Sequence, residues 1–316
     1  QELARLVAET GEPAVRAYMG HVQANAAMAV QRLLGRLAGG RFDYRMDNGD
    51  PLVVEVRVDH ERLRAVIDFT GTGAQRADNF NAPPAVTRAA VLYVIRCLVG
   101  EDIPLNDGCL EGIEIVLPEG SFLAPKAPAA VVAGNVEVSQ AVCNALLGAL
   151  GAAASAQATM NNLTFGDGRV QYYETIAGGM GAGPGWNGAS GVQTHMTNTR
   201  MTDPEVMEMR LPVRVERFAL RHGSGGAGEF RGGDGVERRL RFLSPMSAVV
   251  LASRREVAPF GLQGGLPGAA GRQWVEREDG SVQWMAGVER IELNPGDALV
   301  IETPGGGGFG RHGGSA

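Results

Sequence analysis

Residues 172–200, YYETIAGGMGAGPGWNGASGVQTHMTNTR, place the strongest constraint on this chain, because seven glycines interrupt any regular element there. A glycine-rich backbone can take positive φ and approach a ligand or another backbone closely. The same segment carries Glu174, His195, Thr197, Asn198, Thr199 and Arg200, which together supply an acid, a base, hydrogen-bond donors and a fixed cation. An ordinary strand connection needs one or two such glycines and no convergent polar set. A pocket or a subunit seam is therefore expected, with Glu174 and His195 facing one cavity.

Glycine is also the compositional outlier of the whole chain, at 46 of 316 residues, about twice the usual share. It is clustered, so it marks loops. The length allows one large domain or two of ordinary size. A net charge of −6 without any basic run argues against nucleic acid or an anionic membrane as partner and toward a small ligand or a protein. Lys126 is the single lysine, so no Walker-type phosphate loop exists. Cys97, Cys109 and Cys143 are odd in number and widely spaced, which suits a reducing cytoplasm better than a disulfide framework. No apolar run reaches membrane-spanning length. The chain starts at Gln1 inside a helical pattern, without initiator methionine or signal peptide, as expected of a piece of a longer polypeptide.

The periodicity reads as α+β, with a helical and hairpin N-terminal half and a mostly β, glycine-rich C-terminal half. Helices are expected over residues 2–37 with a break at Gly11-Glu12-Pro13, over 85–98 behind Pro83 and Pro84, and over 138–154. Alternation on both sides of Asp59-His60-Glu61 predicts a half-exposed hairpin, and a short strand follows at 113–117. Beyond Gly166 the period falls toward two in RVQYYETI, VRVERFALRH, VERRLRFL, SAVVLASR, RQWVERE, SVQWMAG and DALVIETP. The composition shift near 155–168 suggests parts at 1–160 and 161–316, although no clean linker separates them and one core can serve both.

His195 can act as a general base or as a hydrogen-bond donor to a phosphate oxygen, or sit in the core bonded to backbone. Glu174 lies beside two tyrosines in a strand-like run. Burial there would suit a proton carrier, and a structural bridge to an arginine is the other reading. Asn135, Glu137, Ser139 and Gln140 precede a helix, where capping through Asn135 or Ser139 is the default and ligand contact the sharper alternative. Asn161 and Asn162 offer paired amides that either polarise a carbonyl or, as slightly favoured, stabilise a turn. Arg231 and Arg254 can grip a carboxylate, with structural pairing the default for each. The closing PGGGGFG suits close packing against another backbone.

The blocks FTGTGAQRADNFNAPPAVTRAAVLYVIRCLVGEDIPLNDGC, GNVEVSQ, QATMNNLTFG, YYETIAGGMGAGPGW, THMTNTRMTDPEVME, SGGAGEFRGGDG and TPGGGGFG cover most of the chain and resemble the hydantoinase B family. That family includes the B part of ATP-dependent 5-oxoprolinase, N-methylhydantoinase, caprolactamase and acetone-type carboxylases. Two runs, YYETIAGGMGAGPGW and MTNTRMTDPEVME, look most like the 5-oxoprolinase type. The resemblance implies a two-part hydrolase of cyclic amides. A hydantoinase A-type part, fused or separate, binds ATP and phosphorylates the lactam oxygen, and the B part helps water open the ring, giving glutamate from 5-oxoproline. The local settings of the residues point to Glu174 and His195 as catalytic and to Asn135, Glu137, Asn161, Asn162, Asn198, Arg200 and Arg231 as substrate contacts, and an oligomeric assembly is expected. A related carboxylase subunit and a noncatalytic assembly scaffold are the alternatives.

The family's divalent metal is expected in a His/Asp-rich segment upstream of Gln1. Within the chain His21, His60, His195, His222 and His312 stand singly, without local ligand spacing. By itself the chain is thus expected neither to hydrolyse ATP nor to open a lactam. Gln193 stands where many relatives have a second histidine, and Ala158 where a glycine is usual.

Overall fold

The computed structural model describes residues 1–197 and 199–311. Two helices, α1 (Glu2–Thr10) and α2 (Glu12–Leu34), meet at Gly11, which has φ +83. Pro13 starts α2 where its missing N–H costs nothing. Helix α1 buries none of its residues, whereas α2 buries Ala26, Ala29, Val30, Leu33 and Leu34 toward its C-terminus.

The strands β1 (Gly40–Arg45), β2 (Pro51–Asp59), β3 (Arg64–Asp68) and β4 (Ile113–Val116) form one sheet in that order, with β3–β4 parallel and the other pairs antiparallel. The expected hairpin is β2–β3, half-exposed as its alternation predicts, with Arg57 exposed and Glu55 and Asp68 partly so, and it lies interior to the sheet. β1 covers one flank and β4 the other, so Leu52, Val54 and Val56 are buried on the face under α2, α3 (Pro84–Val99) and α4 (Ser139–Ala149). Helix α4 ends five residues before the expected 154, where Gly151 takes φ +62 and the chain continues as a buried extended run.

The second half is almost all β. Strands β5 (Asn162–Gly166), β6 (Gln171–Thr175), β9 (Met246–Leu251) and β12 (Val288–Leu293) make an antiparallel sheet ordered β12-β9-β5-β6. Strands β7 (Val213–Arg221), β8 (Gly235–Phe242), β10 (Arg272–Glu276), β11 (Val282–Met285) and β13 (Ala298–Glu302) make another, ordered β11-β10-β13-β8-β7. Leu163, Phe165, Val250, Leu240, Phe242 and Leu299 belong to the apolar cluster that these sheets enclose. β1, β5 and β12 were not expected, nor was the short helix α5 (Pro204–Arg210), which Asp203 caps by accepting from the amides of Glu205 and Val206.

Two apolar clusters result, one holding residues between Ala26 and Ala158 and the other between Leu163 and Ile301. They are wired together across the seam: Phe260 packs on Phe42 at 4.5 Å between ring centroids, and Arg254 donates to the carbonyl of Arg45.

The glycine loops are the second device that holds the halves together. Residues 305–308 are buried and bond backbone to backbone with distant loops: Gly305 donates to Ala269 O, Gly306 to Gly233 O, Gly307 to Ser155 O and Gly308 to Leu266 O, all at 2.8–3.0 Å. A Cβ on Gly306 would overlap the carbonyl of Met180. Gly306→Ala therefore forces backbone apart and should cost more than about 2 kcal/mol. Gly168→Ala, on an open turn with nothing near its Cβ position, should stay within about 0.5 kcal/mol. Urea denaturation of both variants separates the two outcomes.

Candidate functional site

A buried polar seam runs between the two apolar clusters, built where the chain enters α4 and where it leaves the extended run before β5. Residues 134–138 form a single π-helical turn that leads directly into α4, a distortion that recurs at functional sites. No side chain caps this helix. Ser139 instead donates back to the carbonyl of Asn135 at 2.6 Å, and Asn135 itself is exposed, so the capping expected of these two residues is not what they do.

The turn points Glu137 inward. Its Oε1 accepts from Thr159 Oγ1 at 2.9 Å, Met160 N at 3.1 Å and Asn162 Nδ2 at 2.9 Å, while Oε2 has no partner. With the side chain 1% exposed, burial pushes its pKa up to about 7 against the hydrogen bonds that favour the anion. Asn162 completes its bonding with Leu251 O and with the Tyr173 hydroxyl, which donates to Oδ1 at 2.7 Å. Asn161 donates to Gln157 Oε1 and Ile176 O and accepts from Arg255 Nη1 at 2.7 Å. The paired asparagines are thus hubs of a buried network rather than the turn formers favoured from sequence.

His195 sits at the other end of the seam with φ +56. Its Nε2 donates to Asn144 Oδ1 at 3.3 Å and its Nδ1 lies 3.4 Å from the Tyr93 hydroxyl. Burial lowers its pKa to about 4. The ring lines a cavity of about 440 Å³ with Tyr93, Cys97, Met180, Trp186 and Gln193. Gln140, one turn before Asn144 on α4, holds the loop by donating to Thr194 O and Thr197 Oγ1.

Glu174 does not line that cavity, contrary to expectation. Its carboxylate pairs with Arg238 through two 3.2 Å contacts and accepts from Tyr172 at 3.0 Å, with both charged side chains 1% exposed. It faces the second apolar cluster because β6 turns Glu174 toward β8, where Arg238 lies. Arg231 is exposed and pairs with Asp234 at 2.6 Å, and Arg200 is exposed. Asn198 and His312 lie outside the described residues. The structure therefore brings Glu137, Asn161 and Asn162 together, puts His195 at the far end of the same seam, and leaves Asn135, Glu174, Arg200 and Arg231 elsewhere.

Arg255, Asn144, Thr159 and Tyr93 are the seam residues that the sequence reading missed. Gln140 and Asn144 did leave a signal, as polar residues four apart on an otherwise apolar helix whose residues are all buried. Arg255 left none, since its neighbour Arg254 has the same side chain.

Comparisons with known proteins fit this architecture. The family model described as hydantoinase B/oxoprolinase matches residues 1–312. The chain belongs to that family. It is 47% identical to 5-oxoprolinase 1 of Arabidopsis thaliana over 97% of its own length, and it spans 26% of that relative. Among solved structures, the ATP-dependent caprolactamase of Pseudomonas jessenii has the same fold, with TM-score 0.77, 23% identity, and coverage of 98% of this chain and 58% of that one. A nucleotide-free acetone carboxylase superposes with TM-score 0.83 at 18% identity, covering 98% and 51% of the two chains. The chain thus spans about a quarter of the length of the 5-oxoprolinases it matches. No helix among the described residues is long and apolar enough to cross a membrane.

Two outcomes follow from the burial of these charges. Glu174→Gln leaves Arg238 without a counter-ion and should lower stability by about 3 to 5 kcal/mol, whereas the double variant Glu174→Leu/Arg238→Met should lose less. Chemical denaturation of the three proteins checks this. For Glu137, a folded pKa near 7 against an ordinary 4.5 means that the folded chain holds more protons between those values, so its contribution declines as pH rises through that window. His195 works the other way, because a folded value near 4 against 6.5 means stability gained as pH rises from 4 to 6.5. Between pH 5 and 6.5, Glu137→Gln should therefore gain stability with pH more steeply than the parent, as urea titrations at pH 5, 6 and 7 would record.

Proposed function

We propose that this chain is the B-region portion of an ATP-dependent 5-oxoprolinase-type hydrolase, opening a lactam that a hydantoinase A-type part has phosphorylated. The observation that carries the reading is the near-full-length likeness to a 5-oxoprolinase. The buried seam supplies compatible chemistry. An unstrained lactam is a poor electrophile until its oxygen bears phosphate. Water then adds to the ring carbon, the carbon–nitrogen bond breaks, and the nitrogen takes a proton. The acyl phosphate that remains is hydrolysed by a second water to carboxylate and inorganic phosphate.

Each addition needs a group that takes a proton near neutral pH, and cleavage needs one that returns it. Glu137, with a pKa near 7 and one oxygen without a partner, suits both steps. Asn162 and Thr159 hold its other oxygen and so fix its orientation. His195, held neutral by burial with its Nε2 proton committed to Asn144, orders the wall of its cavity rather than acting as a cation. In this reading Glu174 is a structural anchor, and Glu137 takes the proton-carrying role expected of it.

ATP and a divalent metal belong to the wider reaction. Among the described residues no three His, Cys, Asp or Glu side chains come together as metal ligands, so the residues present do not fit a metal and no step is routed through one. A cytoplasmic, oligomeric enzyme is part of the same proposal.

The test is made on the full-length enzyme. Purified protein with 5-oxoproline and ATP should form glutamate, ADP and phosphate in about equal amounts. Glu137→Gln and His195→Ala should each lower turnover, by about a hundredfold for the proton carrier, while the Michaelis constant for ATP changes little. Absence of lactam-dependent ADP formation would sink the assignment, and unchanged turnover in both variants would remove the seam from the mechanism.

A further inference from the structure

A second cavity, of about 280 Å³, opens beside the seam, between the β1–β2 turn, the loop at Arg76 and Asp78, and the segment that follows β9. Ser253 and Arg255 form its inner wall, and Ala286, Gly287 and Val288 stand on its far side. Three of the five guanidinium donors of Arg255 are committed: Nε to Gln273 Oε1 at 2.7 Å, and Nη1 to Asn161 Oδ1 at 2.7 Å and Ser253 O at 2.8 Å. The remaining nitrogen, Nη2, is buried and has no partner.

A buried arginine is ordinarily matched by a carboxylate. Here no acid among the described residues lies within ion-pair distance of Arg255, although four line the same cavity. Asp47 turns both oxygens to backbone, accepting from Arg255 N at 2.8 Å and Val257 N at 3.0 Å. Asp50 and Asp78 bracket Arg76. Glu256 is exposed. Glu137 and Asp47 act on Arg255 through space, but neither carboxyl touches its guanidinium. Arg255 is thus a cation held rigid by three bonds, short of a counter-ion, on the wall of a cavity large enough for a five-membered ring.

We propose that Arg255 anchors the carboxylate of a small cyclic-amide acid in this cavity through its guanidinium. The proposal rests on the lactamase reading above and makes Arg255 a specificity residue. It selects a lactam that carries a carboxylate over the same ring without one. Rigidity favours this role, because a guanidinium already fixed by Asn161, Gln273 and Ser253 loses little freedom when an anion arrives. Asn161 also links the anchor to the network that holds Glu137, so the two ends of one substrate could be addressed from adjacent elements.

The full-length enzyme provides the test, with 5-oxoproline and 2-pyrrolidinone as probes, the second lacking the carboxylate. Arg255→Met should raise the Michaelis constant for 5-oxoproline by about tenfold or more and narrow the preference for 5-oxoproline over 2-pyrrolidinone in kcat/KM. Arg255→Lys should recover part of the loss. Should removal of Arg255 prevent folding, Ala286→Trp decides, because Ala286 is exposed at the cavity wall and a large side chain there narrows the cavity without disturbing the core. It too should raise the 5-oxoproline constant. A parent enzyme that opens 5-oxoproline while Ala286→Trp and the folded Arg255 variants keep its Michaelis constant overturns the anchor and leaves the function standing. A parent enzyme that does not open 5-oxoproline overturns the function itself. In that case, calorimetric binding of 5-oxoproline to the parent that Arg255→Met abolishes would still uphold the anchor, and equal binding to both would overturn it.

Discussion

Backbone-to-backbone contact among glycines is the constraint on which the rest of this structure depends. Gly306 and Gly307 reach Gly233 and Ser155 directly, and Met180, Ala182 and Gly226 close the same hub from other loops. At van der Waals separation no side chain fits between such strands of backbone, so the loops meet only because those positions have no Cβ. The entropic penalty of so much glycine is offset by satisfied amides and carbonyls in a region where unpaired ones would be costly. The same hub carries the 152–162 run past the loop of His195, which is how two sequence-distant segments come to border one seam.

The seam itself is an expensive arrangement. Glu137, Asn144, Gln157, Asn161 and Asn162 are all buried, and a packed apolar interior of similar volume would be at least as stable. Most of the network is satisfied, which keeps its cost low and its geometry single. The exceptions are informative. Among them, Glu137 Oε2, Arg254 Nε, Arg255 Nη2 and the Tyr44 hydroxyl are buried without partners, and Arg254 lies over the Tyr44 ring at 4.0 Å. These four groups lie on neighbouring elements of one seam, where unmet bonding capacity is the ordinary condition of a binding site.

Local pattern made much of the fold legible. The alternation of VERRLRFL became β8, whose burial also alternates, and the apolar spacing after Pro84 became α3. What escaped was set by tertiary context. β5 and β12 are short and have few residues to alternate, and the hairpin β2–β3 became interior only because β1 and β4 pair with its flanks. Glu137 and Glu174 show the limit for the site. Both are buried carboxyls beside polar neighbours, and nothing local tells them apart. Arg238, 64 residues along the chain, neutralises one, while asparagine and threonine merely orient the other. Long-range pairing, which one sequence does not display, decided which carboxyl keeps an oxygen without a partner.

Backbone strain singles out the same region independently. Among the described residues six non-glycines take positive φ, and four of them, Ala158, Asn161, His195 and Arg254, lie on the loops that border the seam. Each such conformation costs about 1 to 3 kcal/mol and persists only where its surroundings over-determine it. Here the surroundings are identifiable: Asn161 is fixed by Gln157 and Arg255, His195 by Asn144 and Tyr93, and Arg254 by the carbonyls of Arg45 and Val257. Relaxing any of these residues to an ordinary conformation would swing its side chain out of the network. A glycine at Ala158 would remove the strain at that position, yet the other three need their side chains as well as their unusual backbone. The strain therefore has a definite use: it aims an amide, an imidazole and a guanidinium at one buried line that no regular helix or strand could serve.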